Sequence, residues 1–254
     1  MRKVIFLFLL SLSLGDAFAQ LNESDTLRFG YKFTTTGLIQ SGNVRQVVLS
    51  SGLDILHYSP VISLRTINSN VYQTFYGVKT DENFISKNFV YYAYQNSVYP
   101  YIMTWFETNY RRKIDFRYQI GPGISFRVVN KKNQLLKLSL TSTYEHSSFS
   151  KVFAFENYNK ISDEINTWRV TSRLFGRTSI VENNLQLNYE FWFQQSIQDA
   201  NNYRFHYQSN LVFSLSKKLN ILAAIDGSYE NIIPIGVKHD DFKFTFGISY
   251  GNIK

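Results

Sequence analysis

From Phe116 to Val128 the chain alternates without a break. Phe116, Tyr118, Ile120, Pro122, Ile124, Phe126 and Val128 are apolar, and Arg117, Gln119, Gly121, Gly123, Ser125 and Arg127 stand between them. A period of two places successive side chains on opposite sides of an extended strand, one face apolar and one wet. Strands of soluble sheets are mostly about 5–6 residues long. A tilted strand that crosses a bilayer needs roughly 9–11. The length of this stretch therefore points to a membrane.

The pattern recurs along the chain. Leu27, Phe29, Tyr31 and Phe33 alternate with Arg28, Gly30, Lys32 and Thr34. After a turn at Ser41-Gly42-Asn43, Val47, Leu49, Leu53 and Ile55 alternate with Ser50, Gly52 and Asp54. Stretches near 61–76 and 84–95 alternate poorly but have strand length. A fifth strand sets Ile102, Thr104, Phe106 and Tyr110 against Met103, Trp105, Glu107 and Asn109, and the opening stretch is the sixth. The seventh sets Leu136, Leu138, Leu140 and Tyr144 against Lys137, Ser139, Thr141 and Glu145. The eighth sets Trp168, Val170, Leu174 and Ile180 against Arg169, Thr171, Arg173 and Arg177. Further strands follow at 185–194, 203–215, 221–230 and 242–250. Roughly 20 residues per strand and connection suit antiparallel hairpins and leave no room for crossover helices.

The expectation is an all-β chain folded as an up-and-down antiparallel transmembrane β-barrel of about 12 strands over residues 26–254. Only a closed barrel satisfies every strand's backbone groups in lipid. An even strand number puts both termini on the periplasmic side, with short turns there and longer loops outward. The longest loop is expected between Ser147 and Asn166.

Composition narrows the setting. Met1-Arg2-Lys3, the apolar run to Leu14 and Ala17-Phe18-Ala19 read as a signal peptide over residues 1–19, followed by a short periplasmic segment at 20–25. Localisation in the outer membrane after export follows. There is no Cys, which excludes disulfides and thiolate metal sites, and no His-Glu-x-x-His. No cofactor or metal is expected. The formal charge of +8 suits anionic lipid or solute; for an exported chain nucleic acid is the least suited partner. Membrane lipid, the barrel-assembly machinery and a small anionic solute are the partners implied.

Function would sit on the polar faces. Their charges are Arg28, Lys32, Asp54, Glu107, Arg117, Arg127, Lys137, Glu145, Arg169, Arg173, Arg177, Glu190, Arg204, Asp226, Glu230 and Lys243. Arg169, Arg173 and Arg177 form a ladder up one strand. One reading is a basic lumen that favours anions. The other is that these groups pair with one another and fill a narrow barrel. The result would be a non-enzymatic envelope protein, structural or a narrow solute-passing pore.

His146 and Ser148 share the lipid-facing parity of the seventh strand. A His base beside a Ser at a lipid surface could act on esters. The outer-membrane phospholipase family is similar in having twelve strands and a lipid-facing His-x-Ser pair with an Asn nearby; Asn157 and Asn159 are candidates for that third residue. The residues around that family's pair do not recur here.

Taken together, the chain resembles the salt-induced outer-membrane protein family, barrels without an established molecular function. Its landmarks are Gly42-Asn43, Gly121-Pro122-Gly123-Ile124-Ser125-Phe126, Tyr144-Glu145, and Pro234-Ile235-Gly236-Val237-Lys238 with Asp241. The resemblance implies a barrel and supplies no catalytic residues.

Overall fold

The computed structural model describes residues 28–182 and 184–252. The expected signal peptide and the segment at 20–25 lie outside the described residues, as does Leu27. The strands are β1 (Phe29–Gln40), β2 (Gln46–His57), β3 (Ile62–Phe75), β4 (Val78–Tyr92), β5 (Val98–Asn109) and β6 (Ile114–Lys131). They continue with β7 (Gln134–Glu156), β8 (Tyr158–Val181), β9 (Leu185–Ser196), β10 (Tyr203–Ser214), β11 (Leu219–Glu230), the two-residue β12 (Ile233–Pro234) and β13 (Asp240–Gly251). All pairings are antiparallel, and apart from β1 with β13, β11 with β13 and β12 with β7 they join neighbours in sequence. β1 pairs with β13, through Phe33 opposite Tyr250, and this contact closes twelve long strands into a barrel. β12 stands apart from that ring and pairs with the tip of β7.

Alternation has the expected consequence on the outside. Along β6, Phe116, Ile120, Ile124 and Phe126 are exposed, whereas Arg117, Gln119 and Ser125 are buried inside. No helix among the described residues is long and apolar enough to cross a membrane.

Two ends can be told apart. The turns after β2, β4, β6, β8 and β10 share one end with Phe29 and Gly251; we call it the terminal end. The opposite end differs from expectation. Residues 147–166 are not a loop: β7 and β8 run on as a hairpin to a one-residue turn at Asn157, which adopts a left-handed backbone (φ 60°). Register shifts between Ser148 and Phe153 and between Ala154 and Phe155 break the alternation, which is why the sequence pattern fades there. The longest connection is instead the one from Asn231 to His239, which contains β12.

Candidate functional site

The barrel interior is built from two unlike halves. On β4 and β5 the inward positions are large and apolar: Phe89, Tyr91, Tyr99, Tyr101, Met103 and Trp105 are at most 4% exposed. Trp192 of β9 packs edge-on against Trp105 with ring centres 5.5 Å apart, and Trp105 meets His206 of β10 at 6.0 Å. Side chains of β5 thus reach the wall formed by β9 and β10. Cations lie on these rings: Lys87 is 4.2 Å from the Trp105 ring and 5.0 Å from Trp192, and Arg173 covers Phe89 and Trp192. Lys137 donates to the Tyr94 hydroxyl at 3.0 Å. The glycines of β6 belong to this packing. A Cβ on Gly121 would sit 1.8 Å from the Ser142 carbonyl oxygen, and one on Gly123 would meet the Tyr101 ring at 2.5 Å. Tyr101 fills the space over Gly123 and shares a 2.6 Å hydrogen bond with Thr141.

Toward the hairpin end, charge replaces aromatic packing. Glu145 accepts from Arg169 Nε at 2.9 Å and from Arg204, while Arg169 also donates to Asn202 Oδ1 at 2.6 Å. Arg117 grips Glu230 with two hydrogen bonds of 2.8 and 3.0 Å, and Arg112 pairs with the same carboxylate at 2.8 Å. β5 and β6 stand across the ring from β11, so these pairs span the interior. Arg111 joins Asp81 at 3.2 Å and Asp241 at 3.0 Å. Burial of such carboxylates is tolerable only because each is paired and hydrogen-bonded.

What remains is a cavity of about 370 Å³ against β1–β3, β10, β11 and β13. Its lining runs from Lys32, Leu56 and Ser249 near the terminal end to Asp81, Arg111 and Asp241 at the other. Of the polar-face charges singled out above, Lys32, Asp54, Glu107, Arg117, Arg173, Glu190, Arg204, Asp226, Glu230 and Lys243 line it. Glu145, Arg169, Arg127, Lys137 and Arg177 lie elsewhere in the wall, and Arg28 is exposed just before β1. Of the arginine ladder, Arg173 alone borders the cavity.

The lining cations sort by type. Every arginine there is in an ion pair: Arg65 with Asp54 at 2.7 Å, Arg173 with Glu190, and Arg111, Arg112, Arg117 and Arg204 as above. Lys32, Lys87 and Lys243 have no carboxylate within ion-pair distance among the described residues. They occupy different levels, near the terminal end of β1, in the middle of β4 and toward the hairpin end of β13. Asp226 approaches His206 Nε2 at 3.7 Å. The lining totals nine Lys and Arg against seven Asp and Glu, so its excess of positive charge is small. Arg65, Asp81, Lys87, Arg111, Arg112 and His206 were absent from the sequence-derived set. Arg65, Asp81 and Lys87 sit on the two strands whose alternation is weak, and Arg111 and Arg112 sit in a turn.

Over the mouth, the β7–β8 hairpin leans onto the Asn231–His239 connection. Ile233 pairs with Glu156 and Pro234 with Phe155; Asn157 donates to the Asn231 carbonyl at 3.0 Å, and His239 Nε2 meets Glu156 at 2.9 Å. Beneath this clasp Ile114, Phe149, Phe155, Ile165 and Ile232 form a small buried cluster.

On the outer surface, His146 Nδ1 lies 2.7 Å from Asn166 Oδ1, an amide oxygen that also accepts from the Tyr144 hydroxyl at 3.2 Å. Asn166, rather than Asn157 or Asn159, is therefore the amide beside the histidine. The Ser148 hydroxyl donates to the Phe116 carbonyl at 3.1 Å.

No curated protein matches this sequence. Among solved structures the chain is similar to a NanC porin, at 7% identity over 87% of this chain and 98% of that one, with a TM-score of 0.51. It is also similar to a KdgM porin in complex with disordered oligogalacturonate (8% identity, 87% and 98% coverage, TM-score 0.43). A third is the outer membrane channel DcaP of Acinetobacter baumannii (10% identity, 88% and 94% coverage, TM-score 0.37). The likeness to the NanC porin is one of fold, that of an outer-membrane barrel. The model of the family described as a protein of unknown function, DUF481, matches residues 34–251, nearly the whole barrel, and the chain belongs to that family.

Proposed function

We propose that this protein is a narrow solute-passing barrel of the outer membrane, with its hairpin end outward, its terminal end in the periplasm and a modest preference for small anions. Export by the signal peptide and insertion by the barrel-assembly machinery belong to this reading, as does kinship with the salt-induced outer-membrane proteins. The observation that carries it is the pair Lys32 and Lys243, without carboxylate partners, toward opposite ends of a cavity that follows the strands from one end to the other. Arginines held by carboxylates have their charge compensated within the wall; lysines without such partners leave theirs available to a passing ion.

Planar-bilayer recording under a potassium chloride gradient tests it. Conductance steps are expected, with a reversal potential that corresponds to an anion preference of roughly two- to threefold. Lys32→Gln/Lys243→Gln should abolish most of that preference and leave the steps intact. Absence of steps from folded protein overturns the pore and leaves a structural envelope role. Steps whose reversal potential ignores both substitutions overturn the lysine assignment alone.

A second reading rests on the His146–Asn166 hydrogen bond, which orients an imidazole as an esterase base would need. Rotation of Ser148 away from Phe116 would complete a lipid-facing Ser-His-Asn set. Hydrolysis of phospholipid in mixed micelles, lost in Ser148→Ala, is the result it requires; no turnover eliminates it.

A further inference from the structure

The lipid-facing surface is apolar around most of the ring; polar outward positions, single on β1 and β2 (Thr35 and Ser51), gather on β3, β4 and β5. At the middle of these strands the outward positions are Thr66, Asn68 and Asn70, then Ser86 and Asn88, then Thr104. Register makes them one patch: Asn68 stands opposite Ser86, Thr66 opposite Asn88, and Asn88 opposite Thr104. Apolar residues border it toward both ends, Leu64, Val90 and Ile102 on one side and Tyr72, Phe84 and Phe106 on the other. The patch is also low. Ser86 is only 8% exposed, while Phe84, Val90 and Ile102 around it are 41–52% exposed.

Polar groups at mid-bilayer find no water, so their hydrogen-bonding capacity must be met by protein. Two bonds form within the patch, Asn68 Nδ2 to Thr66 Oγ1 at 2.9 Å and Asn88 Nδ2 to Ser86 Oγ at 3.1 Å. Each amide retains a second N–H and its carbonyl oxygen, and neither Asn68 nor Asn88 has a further side-chain bond among the described residues. Acyl chains offer neither donor nor acceptor.

We propose that this patch is the contact surface between two copies of the chain in the membrane. The occupant must be embedded at the same depth, uncharged, and able both to donate and to accept. A second copy of the patch meets each requirement, because an asparagine amide is complementary to another asparagine amide. A two-fold axis through the patch would bring the two depressions face to face, an isologous contact in which small side chains let the barrel walls approach.

The absence of cysteine makes the test direct. Ser86→Cys in outer-membrane vesicles should give a covalent homodimer under mild oxidation or with a short bis-maleimide, and Leu187→Cys, on the apolar arc of β9, should not. Sedimentation equilibrium in a mild detergent should show a dimer that becomes monomer in Asn68→Leu/Asn88→Leu, with the heat-modifiable gel shift retained as proof of folding. A wild-type monomer by sedimentation together with no Ser86→Cys homodimer overturns the proposal. So does a Ser86→Cys adduct to a different membrane protein in place of itself.

Discussion

The arc from β4 to β9 and the arc from β10 round to β3 are lined in opposite ways. Inside the first, Tyr91, Tyr99, Tyr101, Met103, Trp105 and Trp192 interlock, and Glu145 holds two arginines. Inside the second, Thr34, Thr36, Ser50, Gly52, Ser69, Thr245 and Ser249 leave the space that becomes the cavity. Twelve strands make a ring wider than side chains alone need for filling, between the packed eight-stranded and the open sixteen-stranded regimes. The filled arc narrows that ring and the small-residue arc keeps a passage. Residue size on the inner face, not strand number, sets the bore.

The sharpest break of this contrast is Gly121→Ala. Its Cβ would collide with the backbone of β7 at Ser142, which cannot rotate away, so the cost should exceed the ~1–3 kcal/mol of ordinary overpacking. The expected outcome is loss of the heat-modifiable band. Next comes Glu145→Ala, which strands Arg169 and Arg204 inside the wall without their carboxylate. A loss of about 3–5 kcal/mol is expected, read from the urea midpoint of unfolding in detergent. Tyr101→Phe keeps the ring over Gly123 and removes only the bond to Thr141, for a loss of about 0.5–1.5 kcal/mol by the same measurement. Gly52→Ala is the counterpart of the first substitution on the open arc. Its Cβ would find no atom nearer than 3.6 Å, so stability should stay within about 0.5 kcal/mol of the parent. If Gly52→Ala proved as damaging as Gly121→Ala, the division into arcs would be wrong.

The strand pattern was readable because lipid demands it. Along the middle of β6 (Phe116 to Val128), β9 (Leu185 to Phe193) and β13 (Phe242 to Tyr250) the outward residues are apolar, and alternation follows as soon as the inward residues are polar. The pattern weakened where a face broke its rule. On β5 the inward Met103 and Trp105 are as apolar as the outward Ile102 and Phe106, so both faces read alike. On β3 and β4 the outward Thr66, Asn68, Ser86 and Asn88 are polar, so the contrast was reduced from the other side. Those weaker stretches hold the packed wall and the polar patch. At 147–166 a bulge shifted the phase, and strands read as a loop. Parity missed Arg65, Asp81 and Lys87 on the weakly alternating strands, and it carried no information on which charges pair. That Arg117 meets Glu230 rather than Glu107 as its nearest carboxylate depends on ring closure across the barrel, and no local signal carries it.

The clasp between β12 and the tip of β7 has a kinetic meaning. Phe155 and Pro234 are far apart in the chain, and Pro234 lies in the connection that joins β11 to β13, so their pairing requires both the long hairpin and the last strands to be in place. Because the closure of so long a loop must come before the contact stabilises anything, the clasp is expected to form after the barrier to folding. Weakening the clasp with Asn157→Ala/His239→Ala should therefore hasten unfolding in detergent and leave the rate of insertion and closure unchanged. A protein arranged in this way gains persistence from its final contacts, once the ring is already shut.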